Sequence, residues 1–375
     1  RLEENWEDSD TEVLELIDEL MAGYCKTVYM SISQRQSLRK ELFQSVRKMD
    51  ILEELLEDDS ITEIMVNGWN RVFIERGGRI FPWNKSFSSP EKLEDVIQQM
   101  AARCNRVINT MQPIVDARLK NGERVNAVIA PVALDGPVLT IRRFPKDPIT
   151  MEKLIEMDSL SRDAAQFLEK LVQAGYTILI GGGTGSGKTT FLNALSEYIP
   201  KDERVITIED NAELQIQGIA NLVRLECRQA NIEKSQEITI GDLLKTCLRM
   251  RPSRIIVGEV RSKEAAELLQ VVNVGNDGSL STIHANSCKD MISRLLMGME
   301  LPIPVIRRQI VSGFDIFVHL GRMKDKSRKV QEISEIDRIE AGEVILNPLY
   351  VRTSGLEKTG EMIHREKCRK AGIML

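Results

Sequence analysis

One stretch, GGGTGSGKTT at 181 to 190, limits what this chain can fold into more than any other. Gly182 to Thr189 fits G-x-x-x-x-G-K-[ST], the phosphate-binding P-loop. That loop needs a strand before it and a helix after it. The apolar run 176–180 predicts a buried strand, and Phe191, Leu192 and Leu195 are spaced for one helix face. Gly183, Gly185 and Gly187 are expected to let the backbone curl so that successive N–H groups point inward. The helix N-terminus adds partial positive charge. The expected nucleotide cradle is therefore Gly182, Gly183, Thr184, Gly185, Ser186, Gly187, Lys188, Thr189 and Thr190. Lys188 is expected on the β- and γ-phosphates, and the Thr189 hydroxyl on Mg²⁺.

A chain of 375 residues predicts two or three domains, each able to bury a core. The texture changes along it. Residues 1–48 read as a helical segment: Ser9 and Glu12 form a capping-box pattern, and Val13, Leu16, Ile17 and Leu20 follow helical spacing. A second helix is expected from Ser33, with Leu38, Leu42 and Val46 on one face. Residues 49–144 read as a smaller α+β domain, with turns at Asn67-Gly68, Gly77-Gly78, Asn121-Gly122 and Asp135-Gly136. A Pro-punctuated linker is expected at 145–149. From 150 to 350 strands and helices alternate, which predicts a mainly parallel sheet covered on both faces. Residues 351–375 are polar and basic and are expected to be a loose end.

In such sheets ligands sit beyond the carboxyl ends of the strands. Three polar groups follow apolar runs there. Glu259 ends RIIVGE, where a carboxylate can join a Mg²⁺ shell or orient an attacking water. Glu209-Asp210 ends the run before it, where paired acids can take up protons or hold metal-bound water. His284, in STIHAN, is one of three histidines and is placed to sense a γ-phosphate. His319 and His364 lack such a setting and are expected to be structural or exposed.

The set GGGTGSGKTT, TIEDNAEL, RIIVGEVR and GSLSTIHANS resembles the type II/IV secretion ATPase superfamily. DARLKNGERVNAVIAPVALDGPVLTIRRF makes the chain most similar to the CpaF family, which powers assembly of tight-adherence (Flp) pili. The resemblance implies an N-terminal domain linked to a RecA-like ATPase domain, ATP and Mg²⁺ between them, and a homo-hexameric ring. It implies an aspartate box with Glu209, a Walker B segment with Glu259 and a histidine box with His284. It also implies phosphate-reaching arginines at Arg124, Arg142 and Arg143, with Arg118 a further candidate. Glu259 is the expected general base, and Glu209 the water and Mg²⁺ ligand; the two roles are exchangeable on sequence grounds. Asn276 stands where the family usually has a histidine, which removes any proton transfer there. The absence of an inserted cysteine quartet, and IRRQIVSGF in place of a retraction-motor stretch, favour the CpaF-like branch.

The implied partner is an integral inner-membrane platform protein, with residues 1–48 the candidate docking arm and the chain peripheral at the cytoplasmic membrane face. The chain itself has no run approaching the ~20 apolar residues of a span. Six scattered cysteines without C-x-x-C predict reduced thiols in the cytosol. The net charge of −5 leans against nucleic acid as a partner. Three alternatives stay open: a DNA-transfer or effector-export ATPase, a non-hydrolysing nucleotide-gated scaffold, and a small-molecule phosphotransferase.

Overall fold

The structure, a computed structural model, describes residues 10–25, 28–47, 49–119, 122–143, 148–228, 237–261, 264–297, 299 and 301–375. Ser9 of the expected capping box and linker residues 145–147 lie outside them. The chain divides into two compact units, Arg1–Lys146 and Asp147–Leu375. The division falls within the stretch read as a linker.

In the first unit, α1 (Asp10–Tyr24) and α2 (Ile32–Arg47) form a helical pair. Val13, Ile17 and Met21, each four residues apart, bury against Leu38 and Phe43. An exposed Asp18–Arg39 ion pair at 2.5 Å closes the seam. Then come α3 (Leu52–Glu57), β1 (Ile61–Asn67), β2 (Val72–Arg76), β3 (Arg79–Pro82), α4 (Pro90–Arg103), β4 (Ile114–Arg118), β5 (Arg124–Val128) and β6 (Val138–Arg142). Among the described residues the strands form an antiparallel sheet ordered β3-β2-β1-β6-β5-β4. Ser89 caps α4 through the Lys92 N–H, and Pro90 occupies its first turn. Leu93, Val96, Ile97 and Met100 of α4 are buried with Ile64, Val66, Leu139 and Ile141 in this unit's core.

The second unit comprises α5 (Met151–Glu156), α6 (Arg162–Gln173), β7 (Ile178–Gly182), α7 (Lys188–Ser196), β8 (Val205–Glu209), β9 (Leu222–Glu226), α8 (Ile240–Cys247) and β10 (Arg254–Val260). It continues through α9 (Ala265–Asn273), β11 (Leu280–Ile283), α10 (Cys288–Met297), α11 (Ile303–Gly313), β12 (Ile316–Arg322), β13 (Arg328–Glu340) and β14 (Glu343–Arg352). It ends with β15 (Leu356–Lys358) and α12 (Glu366–Ala371). The sheet order is β15-β14-β13-β12-β7-β11-β10-β8-β9. Strands from β12 to β9 in that order are parallel, and β13 to β15 add an antiparallel wing.

β7, β8 and β11 are buried at every position, as a sheet covered on both faces requires. The strand period of two divides their side chains between two cores. Ile178 and Ile180 face one core with Phe191 and Leu168; Leu179 faces the other with Ile206, Ile255 and Leu269. Arg254, at the start of β10, is nearly fully buried. It donates to both Glu203 carboxylate oxygens, at 2.6 and 2.9 Å, and to the Val172 carbonyl at 2.6 Å.

Residues 351–375 are not a loose end. Leu356, Met362 and Cys368 are buried in the same core as the strand before the P-loop. The buried Glu335 carboxylate accepts from the N–H groups of Ile363 and His364 at 2.8 and 2.7 Å, and from Asn347 at 3.0 Å. The Tyr176 hydroxyl donates to the His364 carbonyl at 2.9 Å, and Lys367 bonds Asp315 at 2.7 Å. The sequence hides this because its anchors are single apolar residues among charges, held by groups far away in the chain. Glu335→Ala would remove the acceptor shared by the Ile363 and His364 N–H groups and the Asn347 amide. It should cost ~2–4 kcal/mol, read as a lowered Tm, with amide exchange accelerated first across residues 361–371.

Candidate nucleotide site

β7 ends in the P-loop between two neighbours, and the glycines there answer to contact as much as to curl. A Cβ on Gly181 would meet Met291 Cε at 2.2 Å, and one on Gly182 would meet the Leu320 carbonyl oxygen at 2.8 Å. Gly185 and Gly187 have φ of +70° and +90°, in the left-handed region that other residues resist. Gly183 is not left-handed, so the curl expected there comes from Gly185 and Gly187 alone. Gly187 caps α7 without a side-chain bond, which leaves the helix's first N–H groups directed at the mouth of the loop. Lys188 is buried within it. Its Nζ donates to the Gly183 carbonyl at 3.3 Å and stands 3.8 Å from Glu259 Oε1.

The parallel register brings the other strand ends to this edge. Glu209, the last residue of β8, is 2% exposed. Its Oε1 accepts from the N–H groups of Glu213 and Leu214, both at 2.8 Å, while its buried Oε2 has no hydrogen-bond partner. Burial drives its pKa up to about 7, against the pull of those two N–H donors. Gly258 makes room for it: a Cβ there would lie 3.0 Å from Glu209 Cγ. Glu259 is half-buried at the end of β10. His284 Nε2 lies 2.7 Å from its Oε1, close but out of line for a hydrogen bond. Burial, then the nearby Lys188 charge, holds the His284 pKa below its usual value, so the ring is neutral at pH 7. Asp210 pairs with Arg261 at 3.1 Å.

Lys188, Glu259 and His284 thus meet at one point, with Glu209 on the adjoining strand end. Thr189 and Thr190 lie half-buried in the first turn of α7. A glycine cradle that a Cβ would fill, with the unpartnered Glu209 Oε2 and Ser186 Oγ beside it, fits a Mg²⁺-nucleotide. Mg²⁺ suits a site of one or two carboxylates plus phosphate oxygens.

Asn276 is elsewhere. It precedes β11 at the end opposite His284, is buried, and donates from Nδ2 to the Val271 carbonyl at 2.9 Å, holding the end of α9. His319 lies half-buried in β12, and His364 lies in the docked C-terminal segment.

The arginines of the first unit divide. Arg118, Arg124 and Arg142 sit side by side across β4, β5 and β6, each paired with the next in register. Like charges directly opposite one another oppose pairing; Asp116, 4.0 Å from Arg124, offsets part of that. Arg143 is not with them. Its side chain is 9% exposed, and its guanidinium donates to the carbonyls of Leu55, Asp58 and Ile61. It ties α3 and β1 to β6, a structural duty in place of the phosphate contact expected of it.

Sequence reasoning missed three arginines. Arg261 directly follows β10, and Arg322 and Arg328 flank the RMKDKSR turn, whose density of positive charge between two strands was the available signal.

A family profile described as "Type II/IV secretion system protein" matches residues 45–341. The chain belongs to that family. VirB11 of the Brucella suis type IV secretion system is 33% identical over 318 residues, 76% of this chain and 88% of its own. An uncharacterized protein of Methanocaldococcus jannaschii is 39% identical over 272 residues, 71% of this chain. That match spans only 38% of the archaeal protein's length. Among solved structures, the Legionella pneumophila ATPase DotB has a TM-score of 0.56 at 20% identity, covering 77% of this chain and 80% of its own. The pilus retraction motor PilT with ADP has 0.54 at 19%, covering 86% of both chains. These likenesses support the RecA-like α/β fold of the secretion-family ATPases.

The raised Glu209 pKa has a stability consequence. A carboxyl with a folded pKa near 7 against 4.5 unfolded stabilises the fold fully only below the lower value, and loses that contribution as pH rises through the upper one. Without nucleotide, Glu209→Gln should therefore be more stable than the parent at pH 8, by up to ~3 kcal/mol. The difference should shrink steadily towards pH 5. Denaturant titrations at several pH values measure it, and a difference independent of pH would exclude the raised pKa.

Proposed function

We propose that this chain is an ATP-hydrolysing motor of a pilus or secretion machine. The observation that carries the proposal is the meeting of Lys188, Glu259 and His284 beyond the P-loop, with Glu209 on the neighbouring strand end. A triphosphate on the P-loop amides puts its γ-end beside Lys188. Glu259 then orients the attacking water and takes its proton. Glu209 would hold a water of a bound Mg²⁺, whose charge would favour the carboxylate form. Neutral His284 can donate one N–H to a γ-phosphate oxygen while its other nitrogen accepts, which suits it to sensing that group.

Arg124 and Arg142 are proposed to complete the site from the N-terminal unit, with Arg118 beside them. An arginine supplied at the moment of transfer raises turnover by roughly 10³- to 10⁵-fold in phosphoryl transfer. Placing it on a second unit makes catalysis depend on closure, and so couples hydrolysis to movement. A homo-hexameric ring docked on an integral membrane platform at the cytoplasmic face follows as the working assembly. Among the described residues no helix is long and apolar enough to cross a membrane. Flp-pilus assembly is the finer reading, supported by the motif set and by the lack of an inserted cysteine quartet.

Conjugal DNA transfer is the second reading, favoured by a 32% identical relative from Rhizobium radiobacter called conjugal transfer protein TrbB. Affinity for single-stranded DNA that falls steeply with salt would support it.

Phosphate release tests the main proposal. Lys188→Ala and Glu259→Gln should each lower turnover at least ~100-fold, with ATP affinity lost in the first and kept in the second. Parent-like turnover in both would refute it. Glu209→Gln under single-turnover conditions separates the two acids: a slowed chemical step with normal Mg²⁺ dependence would move the base from Glu259 to Glu209.

A further inference from the structure

The hairpin joining β12 and β13 lies against the P-loop, and its charges are arranged at a cost to the hairpin itself. β12 runs parallel to β7 with Leu320 in register with Gly182, so the chain beyond Leu320 leaves the sheet on the edge where the P-loop begins. Arg322 and Arg328 are the last registered pair, directly opposite one another. Like charges in that position destabilise an antiparallel pair by some tenths of a kcal/mol.

Each arginine rests on one of the loop's left-handed glycines. Arg328 Nε donates to the Gly185 carbonyl at 3.1 Å, and its Cδ lies 3.6 Å from where a Cβ on Gly187 would stand. Arg322 Nη1 lies 3.8 Å from the corresponding point on Gly185. The acids nearby are engaged elsewhere. Asp325, within the turn, accepts from the Ser327 N–H and hydroxyl at 2.9 and 2.6 Å. Asp158 pairs with Lys329 and Arg352. Among the described residues Arg322 has neither an acid nor a carbonyl as partner, and it is exposed at the lip of the loop.

We propose that Arg322 is a phosphate ligand for the bound nucleotide, supplied by the ATPase unit itself. Arg328 is the positioning residue that holds the Gly185 peptide, and with it the loop, against the hairpin. The ligand class is a nucleoside di- or triphosphate, whose charge offsets the Arg322–Arg328 repulsion. The proposal rests on the ATPase reading above and adds a cation that the P-loop motif does not contain.

The test is calorimetric titration of the full chain with ATP, ADP and adenosine, alongside steady-state phosphate release. Arg322→Ala should weaken ATP and ADP by about tenfold, the scale of one charge-assisted hydrogen bond, and leave adenosine unchanged. KM should rise by a similar factor with kcat within about threefold. Arg322→Lys should recover part of the loss, since it keeps the charge and loses the fork. Arg322→Gln serves in place of Arg322→Ala if the latter lowers Tm. Parent-like affinities for ATP and ADP in Arg322→Ala or Arg322→Gln would overturn the proposal. An equal loss for adenosine would also overturn it, by moving Arg322 from the phosphates to the base. A parent that binds ATP no better than Lys188→Ala would instead bring down the ATPase reading itself.

Discussion

Parallel strands all point their carboxyl ends to one edge, and that constraint gathers this site. Lys188 comes from the helix after β7, Glu209 from β8, Glu259 from β10 and His284 from beyond β11. They span positions 188 to 284 of the chain yet share one edge of one sheet. The constraint also assigns Asn276. Four residues before β11, it lies at the opposite edge and serves the end of α9 rather than the nucleotide.

Close backbone approach is the second constraint, and it is paid in glycine. Gly181 and Gly182 admit Met291 and the Leu320 carbonyl, Gly258 admits the Glu209 side chain, and Gly185 and Gly187 turn the loop. With those positions fixed, charge is placed where the fold alone gains nothing from it. Glu209 is buried with one oxygen unpartnered, and arginines stand opposite arginines in both units. Each is a local cost to folding, the pattern expected where a sequence breaks its own local rules at a functional site, and on the proposed function a bound polyphosphate would offset those of the second unit.

How much of this could be read in the sequence depended on how local the signal was. The P-loop, the apolar strand runs and the polar groups at their ends, His284 among them, are contiguous patterns, and they pointed to the fold of the second unit and to all four side chains that converge. Arg143 shows where contiguity misleads. It adjoins Arg142, but the strand period turns it to the other side, onto the carbonyls of α3 and β1. The C-terminal segment shows the converse: its order depends on Glu335, Asp315 and Tyr176, which no local pattern connects to residues 356–371. The charge density of the Arg322–Arg328 turn is local, but its place beside Gly185 is not legible for the same reason, since that relation runs through the β7–β12 register.

On the proposed function, a triphosphate lies on the P-loop with its γ-end among Lys188, Glu259 and His284. A crystal structure of the full chain with Mg²⁺ and a non-hydrolysable ATP analogue tests it most directly. The expected result is β- and γ-phosphates on the amides of 185–189, Lys188 Nζ moved from the Gly183 carbonyl onto phosphate oxygen, and His284 within hydrogen-bond reach of the γ-phosphate. A nucleotide bound away from the loop, or a γ-phosphate out of reach of both Glu259 and His284, would contradict it.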